Sequence, residues 1–125
     1  MNYWIVFVGA GLGGALRHGA NALALRWFGS GYPVSTLAVN IIGSFAMGLL
    51  AGYFAFRGDA PQAWRLFLAT GVLGGFTTFS AFSLDVMLLY ERGAVLQAAL
   101  YIGLSVVLSV AGLFVGLWIV RSLTP

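Results

Sequence analysis

Residues 27–56, 66–84 and 93–120 contain no Asp, Glu, Lys or Arg. A helix needs about 20 mostly apolar residues to cross a bilayer, and uncharged runs of this length leave few folds open. An ordinary soluble domain carries about 25% charged residues, whereas this chain has 7% charged and 61% hydrophobic residues. Six Lys or Arg and three Asp or Glu on 125 residues cannot build a water-facing surface. The chain reads as an integral, all-α membrane protein.

The pattern predicts four spans in a single transmembrane domain covering residues 1–125: about 4–25, 35–56, 64–90 and 95–120. The first contains Arg17 and His18, the second Asn40, and the third ends near Asp85. The connections are short, at residues 27–34 with Gly29, Gly31 and Pro33, at 57–63 with Gly58, Asp59 and Pro61, and at Glu91-Arg92-Gly93. Aromatic residues fit the two interfaces: Tyr3, Trp4, Phe56, Trp64 and Trp118 on one side, Trp27, Tyr32 and Tyr90 on the other. The start, Met-Asn-Tyr-Trp, lacks a basic n-region, so the first hydrophobic stretch is expected to be retained.

Orientation signals nearly cancel. With four spans both termini share a side, which holds Arg57, Arg65 and Arg121, while the other holds Arg26 and Arg92. Orientation follows the Lys and Arg difference between sides; with no lysine and three arginines against two, the chain is expected to insert both ways. Gly9 and Gly13, Gly48 and Gly52, and Gly112 and Gly116 have the three-residue separation that lets helix backbones approach.

The third span carries Gly74-Gly75-Phe76-Thr77-Thr78-Phe79-Ser80-Ala81-Phe82-Ser83. Glycine lowers helix stability by about 1 kcal/mol against alanine. An opened turn within the membrane needs protein, ion or water partners for its backbone, so this segment predicts a break where an ion is handled. In the fourth span Gln97, Tyr101, Ser105 and Ser109 recur every four residues and share one helical face. Such a ladder serves either helix-to-helix hydrogen bonding or a wet pathway. The Asn40 amide offers two donors, for packing or for an anion. Phe79 and Phe82, three apart, fit core packing, but a phenyl ring also has a positive edge that attracts a small anion. Arg17 is the one arginine well inside a span, away from its ends, where such a group either snorkels or faces a functional interior. His18 and Asp85 read as interfacial.

The chain has no cysteine, no hydrolase constellation, no metal-ligand cluster and no phosphate loop, so it is not expected to be an enzyme. Its arginines are dispersed, which excludes a nucleic-acid stripe. The middle of the first, second and fourth spans holds no carboxylate, which argues against a proton-coupled exporter of organic cations. Hydroxyls, amides, arginine and ring edges suit a small anion.

Three stretches, GGALRH at 13–18, STLAVNIIGSF at 35–45 and GGFTTFSAFS at 74–83, resemble the motifs of the Fluc/CrcB fluoride channels. The resemblance covers essentially the whole chain. It implies an inverted, antiparallel homodimer of four-helix subunits, in both orientations in the cell inner membrane, that passively exports fluoride. It implies a fluoride pathway of Asn40, Thr77, Thr78, Phe79, Ser80, Phe82, Tyr101, Ser105 and Ser109, with Arg17 at the vestibule and Asp85 at an acidic position after the phenylalanines. It also implies a central structural sodium ion, Na+, held by the backbone carbonyls of Gly74 and Thr77 from both subunits. Ala81 stands where threonine is common, Ser35 where glycine is frequent, and His18 where tyrosine or tryptophan is usual. The alternative functions are a small dual-topology multidrug or cation transporter, which size and topology alone favour, and a structural module, which leaves the ladder and the break unexplained.

Overall fold

The computed structural model describes residues 3–29, 33–56 and 61–123, all helical apart from short turns and one interruption. Helix α1 spans Tyr3–Phe28 and α2 spans Val34–Phe56. The third span is split. Its first half, α3, covers residues 62–76 and winds as a wide π-type helix over Leu66–Leu73. Its second half, α4, is Ser80–Glu91, and α5 is Val95–Leu123. Gly31, Tyr32, Arg57, Gly58 and Asp59, used above for connections, interface and orientation, lie outside the described residues.

Two glycines end helices with a positive φ. Gly29 (φ 76°) closes α1, its N–H donating to Leu25 O at 3.1 Å. Gly93 (φ 81°) closes α4, after which Ala94 N–H donates to Leu89 O at 3.0 Å. The latter places a left-handed residue and a back-reaching amide at the helix end, which satisfies carbonyls that the helix leaves open. This tight corner brings α5 back beside α4.

Helix α2 packs along α5, and α1 packs along α3. Both seams use the glycines picked out by spacing. A Cβ on Gly48 would collide with the carbonyl of Leu113, and one on Gly116 with the carbonyl of Phe45. Likewise a Cβ on Gly9 would stand 2.7 Å from Phe67 O, and one on Gly13 would overlap Val72 O. Small residues here let backbones touch, as membrane helix packing requires.

The inner core is small: Leu89, Ala98 and Tyr101 are buried, packed by Leu37, Phe82, Val86 and Ala94. Many large apolar side chains instead face outward, among them Phe7, Leu96, Val107 and Phe114. Soluble monomers rarely expose apolar surface on this scale, so the chain is a multi-pass membrane protein. Val34–Ala55, Gln62–Glu91 and Val95–Leu123 are long and apolar enough to cross a bilayer. The first expected span has the length, about 39 Å for 26 residues. Arg17, His18, Asn21 and Arg26 make it less apolar than the other three.

Candidate functional site

The third span opens at residues 77–79, not at the glycine pair. Gly74 is helical (φ −62°, ψ −37°), and the chain leaves the helix at Thr77 (φ −84°, ψ 159°). Gly75 is required by packing, because a Cβ there would run into the carbonyl of Ala10 in α1. Gly74 meets nothing closer than Ala69 O, 3.8 Å from where a Cβ would sit.

Side chains take over the ladder at the break. Thr77 donates twice to the carbonyl of Leu73, through N–H at 3.0 Å and Oγ1 at 2.9 Å. Thr78 N–H donates to Asn40 Oδ1 at 2.8 Å, and Asn40 Nδ2 donates to Thr78 O at 3.0 Å. Thr78 Oγ1 accepts from Ala81 N–H at 3.1 Å, the pattern of a capping side chain at a helix start. It also lies 3.3 Å from Ser80 Oγ. Ser83 Oγ donates to Phe79 O at 3.0 Å. Among the described residues no backbone N–H donates to the carbonyl of Gly74 or of Thr77.

A cleft of about 560 Å³ gathers most of the expected pathway residues: Asn40, Thr77, Thr78, Phe79, Phe82, Ser105 and Ser109, with Gly74 at its wall. The hydroxyls of Ser105 and Ser109 are buried and have no hydrogen-bond partner among the described residues. The rings of Phe79 and Phe82 lie 5.5 Å apart at 46°. Phe79 is 78% exposed on the chain's outer side, whereas Phe82 packs inward, 5.3 Å from the ring of Tyr101.

Not every expected residue lies on the cleft. Tyr101 is fully buried behind Phe82, with its hydroxyl donating to Asp85 Oδ2 at 3.0 Å. Gln97, at the start of the polar ladder, is exposed. Ser80 is also exposed and, among the described residues, reaches the network through Thr78.

A second, polar cavity of about 340 Å³ is lined by Arg17, His18, Asn21, Ser35, Thr36 and Asp85. Thr78 borders this vestibule as well as the cleft. Arg17 Nε donates to Gly75 O at 3.3 Å, so the guanidinium is held against the third span. Asn21 in the vestibule and Ser44 in the cleft went unnoticed in the sequence. Both follow a recognised residue by four, Arg17 and Asn40, and share its helical face. The cleft walls can thus offer an anion hydroxyl and amide donors and ring edges, beside a vestibule carrying one fixed cation. Among the described residues no cluster of His, Cys, Asp or Glu could hold a metal.

Residues 4–117 match the sequence profile of the family described as CrcB-like protein, Camphor Resistance (CrcB). A protein of Nitrobacter hamburgensis named fluoride-specific ion channel FluC 2 is 61% identical over 124 residues, covering 99% of this chain and 100% of its own. Proteins named fluoride-specific ion channel FluC from Methylobacterium nodulans and Rhodopseudomonas palustris are 60% identical over 121 residues and 56% identical over 124 residues. The first covers 97% of both chains, the second 99% of this chain and 100% of its own.

Proposed function

This chain belongs to the CrcB-like family, and we propose that it is a fluoride-specific ion channel that lets F⁻ leave the cell down its gradient. It is not an enzyme. The observation that carries the reading is the cleft, where the hydroxyls of Ser105 and Ser109, unpartnered among the described residues, share one space with the rings of Phe79 and Phe82.

Fluoride is a small, strongly hydrated acceptor, so leaving water requires a succession of donors. Arg17 gives the vestibule a cation that an entering anion can meet, beside the carboxylate of Asp85 on the same cavity. Thr78 and Ser80 carry the hydroxyl track onward, and Asn40 retains one amide N–H beyond the one given to Thr78. Ring edges of Phe79 and Phe82 then supply positive surface without a full charge. Partners of this strength allow release as well as binding, which conduction demands. Tyr101 backs Phe82 and orients it. Hydrogen fluoride crosses bilayers neutral and ionises inside, so an anion exit lowers cytoplasmic fluoride.

The assembly we propose is an antiparallel homodimer of four-span subunits in the cell inner membrane, with α1 as the fourth span and both orientations inserted. Support comes from the outward ring of Phe79, which a second copy would cover, and from the nearly balanced arginines. The carbonyls of Gly74 and Thr77, which accept no backbone N–H among the described residues, fit a hard cation such as Na+, which takes oxygen ligands; two copies would offer four. The ion's part there is structural. Among the described residues no carboxylate lines the cleft, which counts against an exporter of organic cations. Expression in cells stripped of their own fluoride exporter tests the function. Growth in fluoride should be restored, and unchanged sensitivity at normal expression would refute it.

A further inference from the structure

In an unbroken helix the N–H of Thr78 would donate to the carbonyl four residues earlier, that of Gly74. Asn40 takes that N–H instead, at 2.8 Å, and returns a donor to the carbonyl of Thr78 at 3.0 Å. One planar amide thus satisfies both backbone groups of a single residue, because it carries an acceptor and a donor side by side. The glycine pair does not open the helix, since Gly74 keeps helical angles. The threonine hydroxyls do not open it either: Thr77 Oγ1 returns to Leu73 O within the last turn, and Thr78 Oγ1 caps the helix that follows.

We propose that Asn40 is the positioning residue that holds the third span open and keeps the carbonyl of Gly74 free. A spanning segment cannot leave an N–H without a protein, ion or water partner. Without the amide, Thr78 N–H returns to Gly74 O and Thr77 turns from extended to helical. The consequence for a cation at Gly74 and Thr77 rests on the channel reading above, while the conformational claim stands apart from it. A role confined to donating toward an anion would leave the backbone unmoved, because that role uses only the remaining amide hydrogen.

The test uses full-length protein in lipid, with solid-state NMR Cα and Cβ shifts of labelled Thr77 and Thr78. In the parent, Thr77 gives extended shifts. In Asn40→Leu, similar in size and without polar atoms, they become helical, and Asn40→Ala, which fits whatever space remains, gives the same change. Asn40→Asp keeps the acceptor for Thr78 N–H and keeps Thr77 extended. Extended shifts at Thr77 in both apolar variants overturn the proposal, whatever fluoride transport does. Thermal unfolding in sodium against choline salts reads the second step, because a ligand bound to the folded state raises Tm. The sodium concentration that raises Tm increases at least tenfold in Asn40→Leu. A helical Thr77 with unchanged sodium dependence would overturn the link to the carbonyls.

Discussion

Ser105→Ala and Ser109→Ala separate a pathway hydroxyl from a structural one. Both hydroxyls are buried and unpartnered among the described residues, and Ser105 is only 6% exposed. An unmade hydrogen bond at a buried polar atom costs about 1–3 kcal/mol. Deleting such an atom therefore leaves stability unchanged or raises it by up to about 1 kcal/mol. Transport should move the other way. A hydrogen bond to a charged partner contributes about 1.5–3 kcal/mol, and each 1.36 kcal/mol on a barrier is tenfold in rate. Loss of one donor along the pathway then slows fluoride about 10- to 100-fold. Thermal unfolding in detergent and a fluoride electrode on proteoliposomes measure the two effects. Variants that lose more than about 1 kcal/mol of stability yet conduct normally would show interhelical bonds and refute the reasoning.

Replacing Phe79 or Phe82 with isoleucine keeps an apolar side chain but removes the ring quadrupole; fluoride flux should fall at least tenfold with the protein still folded, and undiminished flux in both variants would leave the rings as packing. Two or three lysines added to one side should lock a single orientation and abolish activity, with co-expression of the oppositely locked chain restoring it; a uniquely oriented, fully active chain would rule out the inverted pair. Gly116→Ala drives a Cβ into the Phe45 carbonyl, with Leu49 N at 2.9 Å and Gly48 C at 3.2 Å, so α2 and α5 must separate. The expected loss is about 1–3 kcal/mol of stability, read by thermal unfolding, and an unchanged Tm would show that the seam is loose.

The helices were legible because uncharged runs of spanning length admit little else. The start of α2, for instance, at Val34, lies one residue from the expected 35. The close-packing glycines could be read too, since a three-residue spacing fixes a face. The break falls inside the expected segment, residues 74–83, but the turn at which it opens was not legible. The glycines suggested its position, but the helix opens at Thr77, because the competing acceptor for Thr78 N–H is Asn40, a residue 38 positions away in sequence. No local pattern encodes such a bond. The four-residue ladder divides along its length for the same reason. Ser105 and Ser109 face the cleft, while Tyr101 is drawn behind Phe82 by its bond to Asp85 and Gln97 faces outward. Periodicity assigns a face, but only the neighbouring helices decide what that face meets along its length.

Anion efflux from liposomes containing the purified protein tests the central claim most directly, with fluoride and chloride loaded in parallel and a potassium ionophore balancing charge. Fluoride should empty rapidly from protein-containing vesicles while chloride stays. Equal loss of both anions, or retention of fluoride by vesicles holding folded protein, would contradict the account.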